Sequence, residues 1–572
     1  MVSTMNAHYS SRNLLALRAP NVVMDPYKLG AMHQHRLSFV RSLIRRMANQ
    51  QWHIKVALWE LSSQGFGTVI YRLITPSQYY HLVIFSNAIN DEDRNDRVIA
   101  EKWDITFALI QGAVDDNCLH QLRNNVPLQE AGRNKNNVLV LARANKSVRV
   151  FNHLVDRLAN GQQPDHDMLV NVGYILRTTA VYGNGKFGIA DFELLADTPD
   201  FNLSFSAQMC AVYILRQFSL DWVHFLAKQQ GGKTAVQLSR PLQRYLGIGN
   251  ATGLGMAPYL ICHPRIIDQW MFVRETAIAI ISTYTITLAA KRQLTTLLRR
   301  AVIHLQQIVT IDNHQQRLNH TAISELQHVL SQFSAVAIPH QYWQTLLNHC
   351  QSLSEEAQEI IIACLLELYP KQTDNLEHQM NADETLTLIS GTTVSDLTAL
   401  LEQRYQWALK IDFEQPDDNF WFWYRSADKE EPRIGIRGDD LGEEKQLPLD
   451  IARQTQALYI ALKQVSPQKK LTTFLLQQPH FRTIARRTWT LGHCPMGDIQ
   501  INILSRHALP IHLLRCKLAM LGATKFDPRS DRWLRVTFYQ GAPLIDEIHA
   551  NEWLFPILPT AKSHSEIKER HS

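Results

Sequence analysis

Lys186 is the residue whose type and surroundings best suit chemistry. It stands in Gly183-Asn184-Gly185-Lys186-Phe187-Gly188, with Tyr182 just ahead and Arg177 earlier in the chain. The flanking glycines remove side chains that would shield it. As an ammonium, such a lysine neutralises a carboxylate or phosphate. When desolvated, its lowered pKa makes it a base or a Schiff-base nucleophile. On an open turn the same residue would be an ordinary exposed lysine. The expected catalytic pair is Lys186 and Tyr182, with Arg177, Gly183 and Gly185 as ligand contacts. The G-x-G-x-x-G spacing does not make a dinucleotide site. Asp191 and Glu193 come too soon for a ribose-binding acid, and Asp197-Thr198-Pro199 ends any following helix early.

A second glycine run, Gly247-Ile-Gly249-Asn250-Ala-Thr252-Gly253-Leu-Gly255-Met-Ala-Pro258, reads as a loop. Pro258 suits a first helical position, and Ala257 ahead of it offers no capping acceptor. The free N–H groups of such a helix could take an anion. Gly249, Asn250, Thr252, Gly253 and Gly255 are therefore the expected ligand-binding residues here. Water and packing between helices would satisfy the same pattern.

Other runs carry less. Ala227 to Thr234 fits a relaxed Walker A spacing, but it follows a long helical pattern, and a glycine pair there is an ordinary helix stop. Phe420-Trp421-Phe422-Trp423-Tyr424-Arg425 reads as a strand apolar on both faces, either buried or lining a pocket. Segments 431–440 and 525–533 mix both charges, as surface ion pairs or arginine anion sites do. Three His–Cys adjacencies, Cys262-His263, His349-Cys350 and His493-Cys494, raise zinc. Adjacent side chains diverge on either a helix or a strand, so one pair rarely grips one ion, and no metal is expected.

Composition bounds the rest. The chain has 572 residues, 45% of them hydrophobic and 19% charged, which excludes long disorder. Its formal net charge of +5 is small for its size, so no nucleic-acid partner is expected. Seven scattered cysteines without a C-x-x-C spacing suggest a reducing, cytoplasmic setting rather than a disulfide framework. The apolar stretch 276–290 is too short to cross a bilayer, and no membrane partner is expected. No secretory signal is visible at the start.

The elements that must position these residues follow from periodicity. Residues 53–61, 67–74 and 79–85 alternate or run β-branched between turn signals, as an antiparallel meander does, with 105–110 and 138–141 as further strands. Helical periodicity begins near 146 and covers 168–181, 206–229 and 264–309, with a break expected at 282–287. It continues through 321–333 and 342–368. Residues 371–384 read as linker, and Thr393-x-x-Asp396 as a capping box. Later come a strand at 420–425, helices at 449–463 and 470–478, and a strand at 533–539.

The expected fold is therefore α+β and predominantly helical: an N-terminal segment 1–50, a β domain 51–145, a helical domain 146–370 with the glycine loops, a linker 371–392, a mixed C-terminal domain 393–561 and a tail 562–572. The functional expectation is an enzyme acting on a small carboxylate- or phosphate-bearing molecule, with its reaction class and any cofactor open. The alternative is a helical scaffold binding a protein or nucleic acid. Convergence of the two glycine runs on one site would favour the first.

Overall fold

The computed structural model describes residues 17–23, 34–89, 103–125, 137–178, 180, 198–253, 264–308, 310, 313–335, 342–382, 386, 388, 390–412, 422–426, 432–435, 443–497, 517–528, 533–549 and 553–556. The chain is α+β and divides into two compact units. The larger comprises Gly30–Gly253, Tyr284–Asn375 and Arg515–Ser572; the smaller comprises Met1–Leu29, Leu254–Thr283 and Leu376–Leu514.

A nine-stranded sheet organises the larger unit. Its strands are β1 (His53–Leu61), β2 (Gly67–Ile74), β3 (Tyr79–Ser86), β4 (Ile105–Gln111), β5 (Val138–Lys146), β6 (Tyr174–Thr178), β7 (Gly247–Gly253), β11 (Ala523–Pro528) and β12 (Trp533–Phe538). Their order is β1-β2-β3-β4-β5-β6-β7-β12-β11. The expected meander is present as β1 to β5. It does not close there, because β6, β7, β12 and β11 extend it from segments expected in the helical and C-terminal domains.

Alternation along the strands gives the sheet two apolar faces. Ile70, Val83 and Ala108 pack with Cys118 and Leu122 of helix α2 (Asp116–Asn125). Tyr71, the next residue along β2, points the other way and donates its hydroxyl to Asp221 of helix α5 (Ser206–Gly231). Helix α5 is apolar nearly all round, which marks a core helix. Its Trp222 donates to the Gly65 carbonyl and meets Phe151 of α3 (Phe151–Ala159) edge-on. Gly231 lies where a Cβ would collide with the Ala159 carbonyl. The Walker-like run is thus the helix end and its close approach to α3. In chain order, α4 (His166–Val172) comes between these two helices. Helix α1 (Phe39–Asn49) also packs on α5, and the short α6 (Arg240–Tyr245) leads into β7.

The helical layer of this unit is α8 (Leu288–Gln307), α9 (Asn313–Ala335), α10 (Trp343–Cys350) and α11 (Glu355–Leu368). Arg36 and Arg41 pair with Glu367 of α11, and Arg36 also holds Asp374. Arg45 lies in the same cluster, and burial pushes its guanidinium down to about 9. His349 is exposed while Cys350 is buried, so this His–Cys pair diverges as adjacent helical residues must.

In the smaller unit, α7 (Pro264–Ser282) ends where the break was expected, and its Asp268 accepts the Met496 N–H at 3.0 Å. A helical bundle follows: α12 (Val394–Arg404), α13 (Leu447–Lys463), α14 (Leu471–Gln477) and α15 (Arg482–Gly492). Thr393 and Asp396 form the expected capping box at α12. The bundle core includes Leu397, Leu401, Leu458, Phe474 and Ile484. A three-stranded sheet, β10-β8-β9, is built from β8 (Phe422–Ser426), β9 (Pro432–Gly435) and β10 (Glu443–Gln446). Phe420 and Trp421 of the aromatic run lie outside the described residues.

Three expectations need correction. The helix expected over 168–181 ends at Val172, because Gly173 takes the left-handed conformation (φ 79°) that stops it, and strand β6 follows. The helix expected over 342–368 is two helices, with Ser354 capping the second. The expected linker 371–384 contains short helical stretches at Pro370–Asp374 and Glu377–Met380. Among the described residues, no helix is long and apolar enough to cross a membrane.

Candidate functional site at the ends of a parallel strand pair

Among the described residues, every pairing in the nine-stranded sheet is antiparallel except one. Strands β6 and β7 run parallel, paired at Tyr174↔Gly247 and Arg177↔Gly249. Three residues of β6 are set against two of β7, so the pair carries a bulge. Gly173 makes the junction: after stopping α4 it accepts the Gly247 N–H at 2.9 Å. Both strands therefore finish at the same end of the sheet. The chain following β6 carries Tyr182, Gly183, Gly185 and Lys186, and the chain following β7 carries Gly255. Those five residues lie outside the described residues.

Arg177 sits on a row that crosses four strands. Asn145 of β5 pairs with Arg177, Arg177 with Gly249, and Gly249 with Thr537 of β12. At one end of the row, buried Asp104 takes the Asn145 side-chain oxygen on its N–H at 3.0 Å and accepts the Lys146 N–H at 2.9 Å. Arg143 lies over the Trp103 ring at 5.1 Å. Thr178 donates its hydroxyl to the Arg143 carbonyl and accepts the Ala180 N–H, fixing the chain where it leaves β6. Arg177 itself is half-buried. Thr537 is fully buried, and its hydroxyl oxygen has no hydrogen-bond partner among the described residues.

Gly249, Asn250, Thr252 and Gly253 do not form the loop expected of them. They belong to strand β7 and pair with Thr537, Val536, Leu534 and Trp533. The physical reason is that β6 and β12 supply ladder partners on both sides, and pairing satisfies backbone groups that a loop would leave to water. The glycine at 249 has a packing use. A Cβ there would stand 2.7 Å from the Tyr174 ring, which covers that position. The structure thus brings Arg177 beside Gly249.

Sequence reading missed the far anchor of the segment that holds Lys186. That segment returns at Pro199–Phe201, where the Asp200 carboxylate is buried. It accepts hydroxyl bonds from Thr75 and Tyr80, each at 2.8 Å, and from Ser77. Arg46 donates to the Asp200 carbonyl and to Asn202. Burial and the carboxylate together push the Tyr80 hydroxyl pKa well up, so it remains a donor. These partners lie more than a hundred residues apart, and no local spacing signals them.

Sequence reading also missed Arg216, which is 2% exposed. It donates to the carbonyls of Leu246 (2.7 Å), Pro543 (3.1 Å), Gln243 (3.1 Å), Arg244 (3.0 Å) and Ala542 (3.2 Å). Leu246 immediately precedes β7, so this fork sets where the strand begins.

The thiols offer little nucleophilicity here. Burial raises those of Cys210, Cys350 and Cys364, the second to about 12. Among the described residues, no three of His, Cys, Asp and Glu gather as a metal site would require. No protein-family model, curated protein or solved structure matches the chain.

Proposed function

We propose that the protein is an enzyme that binds a small carboxylate- or phosphate-bearing molecule at the carboxyl ends of β6 and β7. One observation supports the reading: the first glycine-rich run follows β6 of the parallel pair, and the second begins within β7 and leaves it in the same direction, β7 running on from Gly249 to Gly253 past the end of β6 at Thr178. In open sheets, ligands settle outside the carboxyl ends of parallel strands, where chain direction switches and backbone groups are released from the ladder. Arg177, paired with Gly249 on the adjacent strand, is the anion contact, suited to bidentate pairing. Gly183 and Gly185 allow close backbone approach after β6, and Gly253 is the last residue of β7. Asn250 and Thr252 complete the proposed ligand contacts. Lys186 provides a second charge or, where desolvated, the amine base or nucleophile, with Tyr182 beside it.

Native mass spectrometry of the purified full chain tests this. The wild type should carry a small anionic molecule. Arg177→Met and Lys186→Met should fold yet lose it, with affinity for the recovered molecule falling tenfold or more, about 1.4 kcal/mol. Wild-type affinity in both variants would end the assignment.

A further inference from the structure

The small whole-chain charge conceals an uneven distribution. Ile451–Gly497 holds seven Lys/Arg and no Asp or Glu, where about four acids would stand at average composition. This stretch builds most of α13 and all of α14 and α15. Helix α14 has seven residues, a tight turn through Pro479–Phe481 follows, and α15 has eleven. That is the layout of a helix-turn-helix. Its packing supports the comparison. Leu471, Phe474 and Leu475 of α14 share a core with Ile484 and Ala485 of α15 and with Leu458 and Leu462 of α13. Phe474 stacks on Phe481 across the turn at 6.0 Å.

With those residues turned inward, the opposite side of both helices faces solvent. It exposes Lys470, Thr473, Gln478, Arg482, Thr483 and Arg486. Arg482 donates Nε to the Leu475 carbonyl at 3.3 Å and Arg486 donates Nε to the Leu386 carbonyl at 2.9 Å. Each bond orients a guanidinium that has five donors. Among the described residues, Lys463 of α13 pairs with Glu402 of α12. The exposed residues of α14 and α15 combine positive charge with hydroxyl and amide groups and one exposed leucine, Leu476; the two helices themselves hold no acid, and the exposed Asp396 belongs to the N-terminus of α12, whose Thr393 is bridged to Lys470.

We infer that this face binds double-stranded DNA, with the first half of α15 in the major groove and α14 against the phosphate backbone. An eleven-residue helix is about 16 Å long, and B-DNA's major groove, about 12 Å wide, admits one. In helix-turn-helix proteins the early residues of the second helix reach base edges, which are here Arg482, Thr483 and Arg486. The inference is independent of the anion site at β6 and β7.

The test is fluorescence anisotropy of the full chain with a labelled duplex of about 24 base pairs, at about 50 and 200 mM salt. Wild type should bind, and more weakly at the higher salt. Lys470→Glu combined with Arg482→Glu should lower affinity at least tenfold and flatten the salt dependence by about one phosphate contact, that of Lys470. Arg482→Gln should act in the same direction to a smaller extent, and Lys55→Glu, exposed on β1, should change nothing. Absence of binding at the lower salt would overturn the inference. So would a loss at Lys55 equal to that at Lys470 and Arg482, or preferential displacement of the DNA by duplex RNA.

Discussion

Replacing Arg216 with Met should destabilise the larger unit by about 2–4 kcal/mol, a figure that follows from its bonds. Of the five carbonyls it reaches, two keep another donor: Arg244 accepts the Gly541 N–H and Pro543 accepts the Tyr213 hydroxyl. Those of Leu246, Gln243 and Ala542 lose the guanidinium. Each stranded buried carbonyl costs about 1–3 kcal/mol, so three set a loss of at least about 3. An opposing effect reduces it. No carboxylate is among the fork's bonding partners, and burial pushes the group's pKa down to about 10, so the buried charge is itself unfavourable and its removal is favourable. Arg216→Lys retains the charge on a more strongly hydrated ammonium and loses the planar fork, so it should be no more stable than the Met variant. Urea unfolding followed by tryptophan fluorescence reads both, with Trp222 buried in the same helix. A Met variant within about 1 kcal/mol of wild type would refute the idea that these bonds fix the start of β7.

Two more outcomes are expected. Gly249→Ala places a Cβ 2.7 Å from the Tyr174 ring and should cost about 1–3 kcal/mol in thermal or urea unfolding, with Tyr174→Leu in the same chain recovering part of the loss. For Asp221, burial raises the carboxyl pKa, so the folded state favours the protonated form and ionisation costs stability as pH rises through that pKa. Asn does not ionise; the stability difference between Asp221→Asn and wild type should therefore shift towards the variant between about pH 4 and pH 7, and a constant or opposite difference would count against the assigned cause.

The legible parts of this fold are those with a local cause. The alternation from His53 to Phe85 fixed the meander, the polar break at 282–287 separated α7 from α8, and Thr393-x-x-Asp396 marked a helix start. Strand β6 was not legible, because Tyr174–Thr178 is short and follows a helical run; its strand state depends on partners in β5 and β7. Strand β7 was read as a loop because glycine disfavours strands, and here the neighbouring ladders and the Tyr174 ring override that preference. At the candidate site, residue types drew attention to Arg177 and Gly249. Their adjacency, the Asp200 anchor and the Arg216 fork all join residues distant in sequence. The basic face of α14 and α15 was visible in composition, but averaging charge over 572 residues hid it.

The strand order also has a consequence during synthesis. β7 ends at Gly253, while its outer neighbour β12 starts at Trp533. At translation speeds of about 5–20 residues per second, the roughly 280 residues between them take about 15–55 s to emerge. Throughout that interval the nascent sheet has an open edge at β7, a site for pairing with other chains. Glycines at 247, 249 and 253 make that edge a poor template, since they are weak strand formers and offer few side chains to grip. The composition that disguises β7 as a loop is thus also what suits it to wait unpaired on the ribosome until its partner arrives.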